Sequence, residues 1–166
     1  MIRKEAQTLE GKTKEPNVNP RTMKEYLVRM LYCEMLGHEV SFGYFHAIKL
    51  AQCKGILEKR VGYLAVSLFL HEDHEMMLLL INTLQTDLKS TNVVEVCIAL
   101  TTIAKVMNAS MIPAVISDVE KLLDHPREIV RKKAVLALHR FYSRDAKSIS
   151  HLSDNLVVLL LNGCLQ

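Results

Sequence analysis

Apolar positions recur at the three- and four-residue spacing of amphipathic helices from Thr22 to the end of the chain. Glycine, proline, asparagine or aspartate separates one apolar stripe from the next. The pattern predicts seven helices, over residues 22–36, 41–54, 57–70, 74–88, 92–107, 113–123 and 127–142. An eighth helix, apolar almost all round, is predicted from Ser148 or Ser150 to the stop at Gly163. No window of five or more residues alternates as a strand would, so the predicted fold is all-α.

The predicted helices also repeat. Three sets of residues recur at intervals of 36, in the same place of alternate helices: Leu57, Val93 and Ile129; Gly62, Ile98 and Ala134; Leu64, Leu100 and Leu136. A period near 36 residues with two helices per unit is typical of a helical solenoid. We therefore predict a right-handed solenoid of HEAT- or armadillo-like helix pairs, in which neighbouring pairs bury one another's apolar faces.

The polarity of the chain changes at both ends of this pattern. Residues 1–20 are polar, with scattered lysines and two prolines, and are interpreted as a flexible lead. Residues 21–144 hold the helical repeats. Residues 145–166 are interpreted as a divergent apolar C-terminal helix, whose uncovered stripe predicts self-association or a partner subunit.

Composition narrows the class of protein. With 166 residues, 49% apolar and 23% charged, the chain is long enough for one domain with a real core. The net charge of +3 does not demand a nucleic-acid partner. The longest aliphatic runs are too short to span a membrane, and the first residues lack a signal-peptide pattern. Four scattered cysteines without a CxxC pair indicate free thiols in a reducing, cytosolic compartment.

Candidate chemistry is sparse. The segment His71–Glu75 holds two imidazoles and three carboxylates, but the histidines are one residue short of the i, i+4 spacing of a zinc protease, and a capped, solvated turn explains them better. There is no GxSxG elbow and no glycine-rich phosphate loop. The sequence therefore predicts a protein that is not an enzyme, with no catalytic, cofactor-binding or metal-ligating residues and no cofactor.

A cluster of cations makes the predicted helix over residues 127–140 basic: Arg127, Arg131, Lys132, Lys133 and Arg140. Such a face could bind the phosphate groups of lipid or RNA. A solvated helix surface is the commoner explanation, and no aromatic residue is interleaved for base stacking. Phosphate or RNA binding, and a free-standing HEAT-like protein-interaction scaffold, remain the alternative functions.

Several motifs resemble one family in the order and spacing in which they occur. The segment 36–50, with Leu36-Gly37, Phe42-Gly43 and Ala47, is similar to a stretch near the start of the large adaptin chains of vesicle adaptor complexes. The segment 58–64, Glu-Lys-Arg-Val-Gly-Tyr-Leu, and the landmarks over 80–100 resemble the helices that follow. The segment 67–75 points more narrowly to the epsilon branch, the large chains of the fourth adaptor complex, and the resemblance covers about residues 23–141.

This resemblance implies a non-enzymatic trunk segment of an adaptor large chain, apparently truncated, in which the landmarks are scaffold residues. It implies a solenoid that cradles the medium and small subunits beside a beta subunit. Recruitment by an Arf-family GTPase, peripheral membrane contact and cargo sorting at the trans-Golgi network are implied with it. A transmembrane segment and a nucleic-acid partner are not expected.

Overall fold

The structure is a computed structural model of the chain and describes residues 2–70 and 74–147. Those residues form α-helices joined by short turns, with no strand among them. The helices are α1 (Ile2–Thr13), α2 (Pro20–Met35), α3 (Tyr44–Ala51), α4 (Ile56–Phe69), α5 (Leu78–Leu88), α6 (Val93–Val106), α7 (Ile112–Lys121) and α8 (Glu128–Arg144). The all-α prediction is confirmed.

Local chemistry explains where the helices begin and end. The side chain of Asn19 accepts a hydrogen bond from the Arg21 amide at 2.9 Å, and Pro20 occupies the first turn of α2, where its missing N–H costs nothing. Gly37 follows α2 with φ = +81°, the left-handed conformation that ends helices and that glycine adopts without strain. Asn92 caps α6 in the same manner as Asn19, through the Val94 amide.

The first helix corrects the expectation of a flexible lead over residues 1–20. Leu9 of α1 is completely buried, Glu5 forms an ion pair with Arg29 of α2, and the ammonium of Lys12 lies over the Tyr26 ring. The sequence pattern missed this helix because α1 has very few apolar positions, so no periodic stripe is visible. A single buried leucine and charged contacts dock it.

The chain divides into two compact units, residues 1–80 and 81–166. In the first unit, α2 and α4 are neighbours and α3 packs against both. Gly62 allows the close approach of α4 to α3, because a Cβ at this position would collide with the backbone of Ala51. The ring of Phe69 stacks on Tyr44 at 5.8 Å and fixes the end of α4 against the start of α3.

The second unit has the same layered plan. Here α6 and α8 are neighbours and α7 packs against α8. Lys133 of α8 donates to the Thr101 hydroxyl of α6 at 2.8 Å, and Arg144 donates to the carbonyl of Lys105 at 3.0 Å. The carboxylate of Asp118 in α7 is almost buried and forms an ion pair with the Lys89 ammonium, with 3.0 Å between Nζ and Oδ2. Alternate helices that share a layer define a helical solenoid, as predicted.

The buried positions revise the register of the repeat. Six residues of α4 are buried, and the residues 37 positions later are the six buried residues of α6: Val96, Ala99, Leu100, Thr102, Ile103 and Val106. The last five recur in α8 after a further 35 positions, as Ala134, Val135, Ala137, Leu138 and Phe141. The mean interval between equivalent residues is 36, as expected, but the buried positions of α6 lie one residue later than an even spacing predicts. Gly62 therefore corresponds to Ala99 rather than to Ile98.

Smaller differences concern element ends. The helices predicted from Ser41 and His74 begin with one turn of 3-10 helix, over Ser41–Gly43 and Glu75–Met77, and α7 ends with another over Leu122–Asp124. A 3-10 turn at a helix terminus tightens the backbone where α-type hydrogen bonds run out. The predicted eighth helix and residues 71–73 lie outside the described residues.

Candidate interaction surfaces

In the repeat register set by burial, certain positions stay exposed in α4, α6 and α8. Three triplets of equivalent residues are exposed, and we call the side of each helix on which they lie its outer side. The triplets are Leu57, Val94 and Ile129; Leu64, Thr101 and Leu136; and Leu68, Lys105 and Arg140. The first triplet keeps its aliphatic character, whereas the last changes from leucine to lysine and arginine. The outer side therefore has different chemistry in the two units.

In the first unit the outer side has exposed apolar residues beside the cations Arg29 and Arg60. On α2, Tyr32 is 64% and Met35 73% exposed, and Val28 is half exposed. On α4, Leu57, Leu64 and Leu68 are also about half exposed. Because Val28 and Tyr32 precede Leu64 and Leu68 by one repeat length of 36, neighbouring helices present them on the same side. We call these six residues the apolar face.

Sequence patterning assigned part of this exposed surface to the core. Met35, Leu36 and Phe45 fit the helical stripes that predict burial, but all three are exposed. The stripe continues past the point where α3 and α4 cover α2, and periodicity alone cannot reveal where a covering helix stops. The width of the stripe could have indicated this exposure, since α2 has apolar residues on more than one side and a covering helix buries only one of them.

The basic helix predicted over residues 127–140 is α8, and much of its charge is engaged within the protein. Arg131 donates to the carbonyl oxygens of His125 and Pro126 at 2.8 and 3.1 Å. Lys132 pairs with Glu128 at 2.5 Å, and this pairing lowers the pKa of the exposed Glu128 carboxyl. Three of the five named cations therefore have partners in their own unit: Arg131, Lys132 and Lys133. This engagement weakens the case for a phosphate-binding surface.

The predicted metal-like segment is described only in part. His74 caps the turn that follows it, since its Nδ1 accepts the Met76 amide at 3.2 Å, and its ring lies edge-on to Tyr44 at 5.5 Å. Residues 71–73 lie outside the described part of the chain. Among residues 2–70 and 74–147, no three His, Cys, Asp or Glu side chains converge as metal ligands.

The described cysteines do not resemble nucleophiles. Cys33 is buried, and burial, followed by the charge of Glu5, raises the pKa of its thiol. Burial also raises the pKa of Cys53 and of Cys97, both half-buried. A reactive cysteine needs the opposite shift, because the thiolate is the attacking form. Cys97 lies at the edge of the α6 stripe rather than inside the core.

One cleft in the first unit has a volume of about 140 Å³ and lies between the end of α1 and α3. His46 and Lys49 line it together with Met23 and Cys53. Burial, and then the neighbouring charge of Lys49, lowers the pKa of His46. The cleft combines a few polar groups with apolar walls, and the Cys53 thiol in its lining donates to the Lys49 carbonyl at 3.6 Å.

In the described part of the chain, every helix is too short or too polar to cross a bilayer. The layered helix pairs and their recurring buried positions define the class: a helical-repeat protein. Comparison with known proteins identifies the family. The adaptin N-terminal region matches residues 1–162, and the chain belongs to this family.

Similar proteins include subunits of adaptor complexes. The chain is 54% identical over 152 residues to AP-4 complex subunit epsilon-1 of Mus musculus, covering 92% of this chain and 14% of that protein. It is 48% identical over 155 residues to AP-4 complex subunit epsilon of Arabidopsis thaliana, covering 93% of this chain and 16% of the relative. The chain therefore spans about a seventh of the curated relatives it matches.

A solved structure supports the fold. A chain of a homology model of the full-length AP-3 complex, in an intermediate open conformation, superposes with a TM-score of 0.74 at 28% identity. The match covers 86% of this chain and 25% of that one. The family match also includes residues 1–20 and continues past Arg144, so the interpretation of residues 145–166 as divergent from the family is wrong up to residue 162.

Proposed function

We propose that this chain is a trunk segment of an AP-4 epsilon-type large subunit and acts as a non-enzymatic scaffold in vesicle-mediated protein transport. The observation that carries the proposal is the 54% identity to an AP-4 epsilon subunit over 92% of the chain. The layered helix pairs of the described residues support a scaffold role.

The partners in this proposal are the small, medium and beta subunits of an adaptor complex, and an Arf-family GTPase that recruits the complex. The complex would act from the cytoplasmic side as a peripheral coat on trans-Golgi network and vesicle membranes, where it sorts cargo. The apolar face of the first unit supports assembly, because six large apolar side chains about half exposed or more on two neighbouring helices are typical of a surface that a partner covers. We assign it to the small subunit, because the family resemblance implies that the large-chain trunk cradles the small and medium subunits.

Co-expression tests the proposal. The tagged 166-residue chain is expressed with the small, medium and beta subunits of an AP-4 complex, and the purified material is examined for each subunit. We expect the small subunit to co-purify at a one-to-one ratio. Replacing Tyr32, Leu64 and Leu68 by lysine should remove it, because three charges would have to be buried in the contact.

The matched control carries lysine at Ile129 and Leu136, which are equally exposed but lie in the other unit. This control should retain the small subunit. Failure of every adaptor subunit to co-purify with the folded wild-type chain would contradict the proposed function.

A further inference from the structure

The outer side of α6 and α8 combines exposed aliphatic residues with an excess of positive charge. Val94, Ile129 and Leu136 are each about half exposed. Around them lie four cations: Lys105 on α6, and Lys132, Lys133 and Arg140 on α8. Over its whole length α8 has five cationic residues and one carboxylate, Glu128. We call the three aliphatic residues and these four cations the basic apolar face.

Its geometry on α8 is regular. Ile129 and Leu136 are seven residues apart and so lie two turns apart on one line of the helix. Lys132 and Lys133 fall between them, three or four residues from each. Lys132 is held by Glu128, and Lys133 by the Thr101 hydroxyl at 2.8 Å. The two ammonium groups are therefore positioned beside the aliphatic residues.

Comparison of equivalent repeat positions shows which cations are particular to this unit. Lys132 already has a cationic counterpart in Arg60 of α4, so the added positive charge is at Lys105, Lys133 and Arg140. Leu68 of α4 corresponds to Lys105 of α6 and to Arg140 of α8, whereas Leu57 and Leu64 keep aliphatic counterparts in Ile129 and Leu136. The aliphatic spacing is thus retained while cations replace leucine at the margin. A partner of the second unit must match both features.

We propose that the basic apolar face binds an acidic amphipathic helix of a protein partner, laid along the boundary between α6 and α8. Aliphatic residues of such a helix at positions i and i+7 meet Ile129 and Leu136, and a neighbouring aliphatic residue meets Val94. Its glutamates or aspartates meet the flanking cations, and this complementarity gives orientation and a faster encounter.

The chemistry favours this occupant over a membrane or RNA. A helix that lies in a bilayer surface inserts its main apolar stripe. In α8 that stripe includes Val130, Leu138 and Phe141, which are buried within the unit. Single-stranded RNA binding relies on aromatic stacking platforms, and the basic apolar face has no aromatic residue. The inference does not depend on assembly into an adaptor complex.

The test uses the full chain and a fluorescently labelled helical peptide of about 18 residues, long enough to form a helix on binding. The peptide has leucine at i, i+4, i+7 and i+11 and glutamate at the flanking positions. A peptide of the same composition in permuted order is the first control. Vesicles of phosphatidylcholine with about 30% phosphatidylserine, and a uridine-rich RNA oligomer, are the alternative probes.

Fluorescence anisotropy should show saturable binding of the amphipathic peptide that weakens between about 0.05 and 0.3 M salt. The double variants Ile129→Ser, Leu136→Ser and Lys133→Glu, Arg140→Glu should each weaken binding about tenfold or more. The matched variant Leu57→Ser, Leu64→Ser changes the equivalent positions of the first unit and should bind like wild type. Circular dichroism melts establish that each variant is folded.

Equal binding of the permuted peptide would overturn the proposal, because charge alone would then explain it. Binding of vesicles or RNA without binding of the peptide would also overturn it, as would equal loss in the variant of the first unit.

Discussion

At the scale of single residues, Gly62 determines how closely α4 approaches α3. A Cβ at this position would lie 2.7 Å from the Ala51 Cα and 2.7 Å from the Leu50 carbonyl carbon. These are backbone atoms, which cannot move aside as a flexible side chain could. The requirement is for space and not for an unusual backbone conformation, because Gly62 lies inside α4.

Gly62→Ala should therefore destabilise the protein by about 1–3 kcal/mol, in spite of the better helix propensity of alanine. Urea unfolding followed by circular dichroism measures the change. Gly11→Ala is the matched control: it also lies in a helix, but a Cβ there has nothing within 4 Å, so a gain of about 0.5–1 kcal/mol is expected. Equal effects of the two substitutions would contradict the packing argument.

The burial of His46 predicts how the stability of the folded chain depends on pH. Burial, and then Lys49, lowers its pKa in the folded chain, so the unfolded chain binds a proton first as the pH falls. Stability should be fully present above the unfolded pKa of about 6.5 and decrease below it, until the lower folded pKa is passed. Unfolding midpoints at about pH 7.5, 6 and 5 should fall less in His46→Gln than in wild type.

Lys49→Gln separates the two causes. Because burial is the larger one, this variant should reduce the excess pH dependence without abolishing it. An unchanged pH profile in His46→Gln would show that His46 does not contribute.

At the scale of elements, α1 depends on very few contacts. Leu9 is its fully buried leucine, and Glu5 and Lys12 add the ion pair with Arg29 and the contact with the Tyr26 ring. Partly exposed charged contacts of this kind contribute little, about 0–1 kcal/mol each. Burial of Leu9 is thus the main term that holds α1 on α2.

Leu9→Ala should cost about 2–5 kcal/mol and release α1, because removal of a buried leucine loses transfer free energy and leaves a cavity. Hydrogen exchange should lose protection throughout α1 while α2 and α4 stay protected. Gln7→Ala, exposed in the same helix, should change stability by less than about 0.5 kcal/mol. If α1 exchanges as fast in wild type as in Leu9→Ala, the helix is not docked in solution.

The contrast between α1 and α6 explains how far the sequence could predict these elements. Asn92 and the dense stripe of α6 predict its bounds almost to the residue, because a side-chain cap and tight periodicity are both local signals. α1 has neither, since its docking depends on partners far along the chain. The one-residue shift of α6 escaped prediction for the same reason: the register follows from packing against α8.

The candidate surfaces were less predictable than the helices. Cations such as Lys132 and Lys133 can be counted in the sequence, but their pairing with Glu128 and Thr101 depends on how α6 and α8 are placed. The exposure of Tyr32 and Met35 depends on where the neighbouring helices stop covering α2. Family resemblance predicted the scaffold class, whereas the location of its exposed surface required the structure.

At the scale of the whole molecule, the adaptin family relates both units to one architecture, yet their outer sides differ in chemistry. Soluble proteins avoid large apolar patches unless a partner covers them. The apolar face of the first unit fits that rule only if the chain works in an assembly. The basic apolar face is protected from self-contact by like charges, because two copies would bring cations together.

This difference predicts how the isolated chain behaves. At micromolar concentration it should self-associate and bind a hydrophobic dye through the apolar face, and sedimentation velocity should show species larger than the 18.9 kDa monomer. Lysine at Tyr32, Leu64 and Leu68 should shift the chain towards monomer with little change in its melting temperature, since exposed side chains contribute little to folding. Lysine at Ile129 and Leu136 should leave self-association unchanged, because that surface is already cationic. A wild-type chain that stays monomeric at about 50 µM without dye binding would mean that the apolar face is covered in solution, and would remove the structural support for a partner subunit on that side.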